Sequence, residues 1–365
     1  MNLEPTDEQC ALRDTLRRFL AEHASVSQYV RTMLNDPAGT SAKVWRGLAE
    51  LGATGVLVPP EFGGAGMSMV EAALVAEELG AALLPDPWLS SAVAAPRAIA
   101  RFGAEATAAD LLAAIADGSQ VATAGPLGPS SVHAVERPAG HVLRGEVSEL
   151  HDAAAADVIL AIVVHDQAAT LYRVEASSPG LSITPLRGID QTRRNFRVTF
   201  DDVPAQVLGT AEVDAVAALV DDVFVTVAAD ALGAAQRLLD MTVEYAKTRV
   251  QFGKPIGSFQ SVAHLCVDMY ETVELARAGV MYAAWAADNA DPEERHLAAI
   301  RLKGFAARLA TVGDTAIQVL GGIGFTWEHD AHLYLKRLLS WSALLGGSGP
   351  YLEELGARFT KSVVS

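Results

Sequence analysis

Val158-Ile159-Leu160-Ala161-Ile162-Val163-Val164 is a short run rich in β-branched residues, and it decides the fold class. Branched side chains are stiff and pack well on a pleated surface, so the run reads as a strand. Ala169 to Val174 and Phe196-Arg197-Val198-Thr199-Phe200 alternate between apolar and polar, as half-buried strands do. Turn formers punctuate the region at Pro138-Ala139-Gly140, Ser178-Pro179-Gly180 and Asp201-Asp202-Val203-Pro204. No helix of ordinary length fits between the strands. Parallel pairing needs such crossovers, so the spacing predicts an antiparallel sheet over residues 121–210.

The period changes on both sides. Within residues 1–120, Thr6-x-x-Gln9 reads as a capping box, and Leu12, Leu16, Phe19 and Leu20 follow at helical spacing. The proline- and glycine-rich stretch Gly55 to Gly66 interrupts as a loop. Ser68-x-x-Glu71 opens another helix, with Gly80 as its expected stop, and alanine-rich helices continue towards Gly118. Within residues 211–365, Leu219, Val223, Val227, Ala231, Ala234, Leu238, Met241 and Tyr245 form one apolar stripe. Phe259, Val262, Cys266, Met269, Val273 and Val280 form the next. Asp291-Pro292-Glu293-Glu294 is a helix start: Asp caps, Pro takes the first helical position, and Glu suits the positive dipole end. That helix runs to Leu320, where Gly321-Gly322-Ile323-Gly324 ends it. Long helices on short loops predict an up-down bundle, and so an α+β chain of three segments.

Composition narrows the function classes. With 50% hydrophobic and 20% charged residues the chain can bury a sizeable core. Its formal charge of -16 disfavours nucleic acid and anionic membranes as partners, while leaving room for a local basic pocket. Cys10 and Cys266 lie far apart without CxxC spacing, so neither a disulfide framework nor a cysteine-rich metal site is expected, and a reducing cytoplasm fits. Met1 to Gln9 carries no basic or apolar leader pattern. The apolar stretch Ala211 to Leu239 contains Asp214, Asp221, Asp222 and Asp230, which argues for a buried helix rather than a membrane span.

Chemistry concentrates in two segments. Arg249-Val250-Gln251-Phe252-Gly253-Lys254-Pro255-Ile256-Gly257-Ser258-Phe259-Gln260 lies between two long helices. Arg249 offers a planar fork of donors suited to a diphosphate, Phe252 a ring for stacking on a base, and Gln260 both donor and acceptor. Gln318-Val319-Leu320-Gly321-Gly322-Ile323-Gly324-Phe325-Thr326-Trp327-Glu328 has adjacent glycines that let a cofactor or a second chain approach the backbone. Taken singly, the first reads as a plain loop with Phe252 plugging the core, the second as a helix stop. His329, Asp330 and His332 read as a polar helix start rather than a metal site.

In this order and separation the two segments resemble the acyl-CoA dehydrogenase family. The Gly55 to Gly66 loop is similar to its N-terminal domain, and the strand end Phe200-Asp201-Asp202-Val203-Pro204 to its middle domain, so the resemblance covers nearly the whole chain. It implies an N-terminal helical domain, a central β domain and a C-terminal four-helix bundle. It also implies FAD as cofactor and oxidation of an acyl-CoA thioester to the 2,3-enoyl-CoA. It assigns Arg249, Phe252, Gln260, Gln318, Gly321 and Gly322 to the diphosphate and adenine end of FAD held mainly by a neighbouring subunit. An electron-transfer flavoprotein or similar acceptor is the implied redox partner.

The resemblance fails at the base. Removing the α-proton as the β-hydride leaves needs a carboxylate near the α-carbon. The family's usual Glu position is held by Leu345 in Ala343-Leu344-Leu345-Gly346-Gly347-Ser348, and the alternative position by Val223, with Phe224 where an Arg is usual. Asp222 stands one residue off and is the remaining candidate. Asp221, Asp222, Glu353 and Glu354 are expected on solvated helix faces. Where flavin-ring contacts are usual, the chain reads Ala124-Gly125-Pro126-Leu127-Gly128-Pro129-Ser130-Ser131 and Ser148-Glu149-Leu150-His151-Asp152. The pattern resembles the heteromeric actinobacterial members, some of which act on steroid side-chain CoA thioesters, and so implies a sister subunit in an α2β2 assembly. The alternatives are a self-sufficient homo-oligomer using Asp222 or another acid, and a scaffold protein that has lost flavin.

Overall fold

The computed structural model describes residues 5–138 and 140–364, so the first residues of the leader-pattern argument and Ala139 of the first expected turn lie outside the described residues. The helices before the sheet are α1 (Asp7–His23), α2 (Arg31–Met33), α3 (Ala42–Glu50), α4 (Met69–Ala81), α5 (Ala95–Arg101) and α6 (Ala109–Ala116). The strands are β1 (Ala122–Gly125), β2 (His133–Arg137), β3 (Gly140–His151), β4 (Val158–His165), β5 (Ala168–Glu175), β6 (Leu181–Leu186) and β7 (Asn195–Glu212). Then follow α7 (Asp214–Thr248), the short pair β8 (Val250–Gln251) and β9 (Lys254–Pro255), α8 (Gln260–Asn289), α9 (Pro292–Leu320), α10 (Ala331–Ala343) and α11 (Gly349–Val364). This is a helical N-terminal part, a central sheet and a C-terminal bundle, as expected. The chain divides into two compact units whose limits cross the three segments: Met1–Arg31 with Ala73–Leu84 and Phe224–Ser365, and Thr32–Ala72 with Pro85–Val223.

The sheet belongs to the second unit. Its order is β1-β4-β5-β7-β3-β2, with β6 also on β7. All pairings are antiparallel except β1 with β4, which run parallel. The expected turn at Asp201 to Pro204 is instead a bulge within the long strand β7. Asp202 takes φ 52, and the pairing with β3 shifts register beside it. Arg144 and Arg137 hold the Asp202 carboxylate at 2.5 and 3.4 Å. One face of the sheet buries Leu143, Val147, Ile159, Tyr172, Val198 and Phe200. Trp88 and Trp45 tie the helices of this unit together, their indole N–H groups donating to the Ala53 and Gly118 carbonyls at 2.8 and 2.9 Å.

In the first unit, Thr6 and Gln9 form the full capping box of α1, and the Asp291 carboxylate caps α9 by accepting from the Glu293 and Glu294 N–H groups. Gly80 does not stop its helix. A Cβ there would overlap the Asp230 carbonyl, and one at Gly233 would overlap the Glu77 carbonyl. The two glycines therefore let α4 and α7 cross with their backbones in contact, which accounts for the small residues along α7. Asp230, fully buried, accepts 2.8 and 2.9 Å bonds from Arg337 of α10.

α8 and α9 form a hairpin of helices about 45 and 44 Å long. Tyr282 donates to Glu294 at 2.7 Å near its closed end, Gly279 packs against Leu302, and Arg308 donates to Glu271 at 3.1 Å. These pairs fix an antiparallel register that brings Gln260 level with Gln318 to Gly321 at the open end. No helix among the described residues is long and apolar enough to cross a membrane.

Candidate functional site

Arg249 and Phe252 sit on the β8–β9 hairpin, which closes through Val250 to Pro255 and Gln251 to Lys254 pairing. Its two turn residues, Phe252 and Gly253, both have positive φ, 52 and 78. A type I′ turn demands that conformation, and Asn or Gly normally supplies it. A Phe there is strained. Its ring is 92% exposed, braced only edge-on by Phe259 at 6.1 Å, whose own face carries the Lys254 ammonium at 4.3 Å. Phe252 therefore does not plug the core. Arg249, Gln260, Gln318, Gly321 and Gly322 are exposed too. Apart from the glycines and their chain neighbours, no atom of the described residues lies within 4 Å of where a Cβ would stand on Gly321 or Gly322, so their backbone is open to approach. Ile323, Phe325 and Trp327 extend the apolar exposure beyond the glycine turn.

These residues fit the adenine and diphosphate end of a dinucleotide. They supply a guanidinium fork, two carboxamides, an unobstructed backbone and a free aromatic face at one end of a rigid hairpin. Where flavin-ring contacts are usual the exposure is mixed, with Pro129, Ser130, Ser131, Ser148 and Glu149 exposed. Ala124, Gly125 and Pro126 are buried. His151 is pushed down to about 4 by burial and by the Arg193 charge. Asp152, also buried, accepts a 2.5 Å bond from the Ser90 hydroxyl.

The candidate base Asp222 is fully buried, not on a solvated face, and neither is Asp221. Arg97 and Arg101, one helical turn apart on α5, each donate through Nε and a terminal nitrogen. Four bonds of 2.9–3.0 Å thus fall two on each carboxylate oxygen. A carboxylate so clamped has no lone pair free to take a substrate proton. Glu353 is exposed as expected, whereas Glu354 is half-buried and engages His296 and Arg358.

At the other base position, Leu345 takes φ 48 in the corner between α10 and α11. Its carbonyl accepts from the Tyr351 hydroxyl at 2.9 Å. Tyr351 packs edge-on against Phe224, which packs edge-on against Trp341. The fully buried Lys303 of α9 donates to the Trp341 and Ser342 carbonyls at 2.7 and 3.1 Å, and burial pushes its amine down to about 8. An aromatic cluster with one buried amine thus occupies this corner. Its sequence signals were single aromatic residues without a shared motif. Elsewhere, Asp330 pairs with Arg31, and His332 is buried edge-on to Trp327. Among the described residues no group of three His, Cys, Asp or Glu side chains could hold a metal ion.

Comparison with known proteins identifies the family. Residues 6–119 match the family model for the acyl-CoA dehydrogenase N-terminal domain, and residues 225–358 that for the C-terminal domain. The acyl-CoA dehydrogenase IpdE2 of Mycobacterium tuberculosis is 34% identical over 99% of this chain and 100% of its own length. FadE34 of the same organism is 36% identical over 96% of this chain, which spans only 48% of that protein. Among solved structures, the ChsE4–ChsE5 complex from M. tuberculosis superposes with TM-score 0.89 at 26% identity, covering 99% of each chain. A variant of the Tcur3481–Tcur3483 steroid ACAD does so with TM-score 0.88 at 29% identity, covering 98% of this chain and 99% of that one. The chain belongs to the acyl-CoA dehydrogenase family, whose cofactor is FAD.

Proposed function

We propose that this chain is the subunit of a heteromeric acyl-CoA dehydrogenase that supplies FAD contacts to a sister subunit and lacks the catalytic base. Phe252 carries the proposal. Its ring occupies a strained backbone position and is almost wholly exposed, so within its own chain it gives little in return. A base stacked on it from a neighbouring subunit would provide that return. Arg249 would hold the diphosphate, and Gln260, Gln318, Gly321 and Gly322 the surrounding adenine end. FAD, when bound, supplies hydride acceptance from the β-carbon of the acyl-CoA. The α-proton must go to a carboxylate, and both family positions for it here are apolar (Leu345 and Val223), while Asp222 is committed to two arginines. The sister chain of an α2β2 assembly therefore brings the Glu, and electrons leave through an electron-transfer flavoprotein or similar acceptor. A cytoplasmic setting suits the two free cysteines.

The steroid ACAD and the two-chain ChsE4–ChsE5 complex among the solved neighbours favour a heteromer and make steroid side-chain CoA thioesters the first substrates to try. The test is turnover with an acyl-CoA panel and an artificial electron acceptor, for the chain alone and co-purified with candidate sisters. Turnover only in the pair is expected. Robust turnover by the homomer would refute the missing base, and a flavin-free, inactive pair would favour a scaffold.

A further inference from the structure

Lys254 lies among the residues that the resemblance gives to FAD but has no role in it. It pairs across the β8–β9 hairpin with Gln251. The ladder runs on through Val250 and Pro255 to Arg249, whose carbonyl accepts from the Ile256 N–H at 2.8 Å. Cross-strand partners share a face, and successive residues alternate between faces. Arg249 and Lys254 therefore rise from the same face as diagonal neighbours, about 7–8 Å apart at the backbone and within reach of long side chains. Both are exposed, and neither has a carboxylate partner among the described residues. Other cations of this unit are paired: Lys247 with Glu244, Arg277 with Glu77 and Arg308 with Glu271. Two uncompensated cations side by side repel each other in the free chain and favour an anion of matching charge.

Lys254 is also held in place. Its ammonium stands 4.3 Å from the centroid of the Phe259 ring, which meets Phe252 edge-on at 6.1 Å. Phe259 is half-buried, donates its N–H to the Ile256 carbonyl, and accepts from the Val262 and Ala263 N–H groups at the start of α8. One anchored ring thus braces both the Phe252 ring and the Lys254 ammonium, and it leaves N–H donors of the ammonium free for phosphate oxygens.

We infer, resting on the cofactor role proposed above, that Lys254 is the second cation of a diphosphate clasp. Arg249 takes one phosphate of the neighbouring subunit's FAD and Lys254 the other. A diphosphate carries two negative charges, and Arg249 alone matches one of them. Lys254 acts as a point charge, so Arg can replace it and Met cannot.

The test measures FAD affinity of the assembly that contains the full chain, by flavin fluorescence on reloading, for Lys254→Met, Lys254→Arg and Arg249→Ala. Lys254 is exposed, so neither substitution disturbs the core. Lys254→Met should weaken FAD about tenfold through loss of a charge-assisted contact, and Lys254→Arg should restore it. The Met defect should largely vanish in about 1 M salt, where screening acts over about 3 Å. A defect that persists at high salt, or that Arg does not rescue, would make Lys254 only a brace for Phe259 and overturn the inference. Weakening in Arg249→Ala without any in Lys254→Met overturns it alone. No effect in either variant, or an assembly that takes up no FAD, overturns it together with the cofactor role of the hairpin.

Discussion

Lys303 offers the sharpest physical test of the C-terminal bundle. Its amine is fully buried, with two helix-end carbonyls and the Trp341 ring, 4.4 Å away, as its polar and aromatic surroundings. Burial lowers it from 10.5 to about 8. A base whose folded value lies below its unfolded value binds fewer protons when folded between those two limits. Stability must therefore rise as pH climbs from 8 towards 10.5, while below pH 8 the full cost of the buried charge is present and constant. The shift corresponds to about 3 kcal/mol over the whole window, most of it reached by pH 10. Lys303→Met removes the titration and keeps most of the volume. The slope carries the test, because Met also leaves the Trp341 and Ser342 carbonyls without their donor. Denaturant unfolding of both proteins at pH 7, 8, 9 and 10 gives the difference in stability at each pH. Tyr334, pushed up to about 12 by burial, opposes the trend above pH 10 but is common to both and cancels. A difference that stays flat within 1 kcal/mol from pH 7 to 10 would mean that the amine titrates alike in the folded and unfolded chain, as a hydrated amine does, and the capping role would be wrong.

Arg249→Ala should cost the heteromer about 1.5–3 kcal/mol of FAD affinity, read as flavin lost from the purified complex on dilution. Asp222→Asn should destabilise the chain by about 3–5 kcal/mol, because Arg97 and Arg101 lose their counter-charge, yet leave turnover per bound flavin in the heteromer unchanged. Loss of turnover with flavin retained would move the base to Asp222. Gly233→Ala should lower the thermal midpoint or the yield of folded chain, since its Cβ would force α4 and α7 apart; a wild-type midpoint would refute the backbone contact. His151, held down near 4, stays neutral in the folded chain while the unfolded chain protonates. Stability should fall by up to about 3 kcal/mol as pH drops from 6.5 to 4, and His151→Gln should flatten that limb.

What was legible in the sequence was whatever one segment decides for itself. The β-branched run at Val158, the Asp291 cap with its proline, and the length of the helical stripes all depend on neighbours within a few residues, and the structure has them in place. The missing pieces are long-range. Asp222 looked like a lone surface acid because its arginines stand 125 and 121 residues away, although Arg97 and Arg101 at i,i+4 on an alanine-rich helix were a signal that some buried anion awaited them. Gly80 looked like a helix stop because sequence does not show the Asp230 carbonyl that lies where its Cβ would be. Asp202 looked like a turn because positive φ serves turns and bulges alike, and only the shifted pairing with β3 distinguishes them.

Two phenylalanines show how the candidate site separates from the core. Phe224 is fully buried, with two aromatic edges against it, in the corner beside Leu345 where the sequence resemblance leads one to expect the base. Burying such a ring contributes about 1.5–3 kcal/mol, and filling that corner with aromatic carbon leaves little room for a carboxylate and its water. Phe252 forgoes the same stabilisation, standing 92% exposed, and adds backbone strain of about 1–3 kcal/mol at φ 52. A chain that had merely drifted from catalysis would relax such a residue to Asn or Gly, which the turn prefers. Its presence beside Arg249, at the open end of the α8–α9 hairpin, is what the proposed contact with another subunit's cofactor requires: on that proposal the cost is borne in the free chain and returned on assembly.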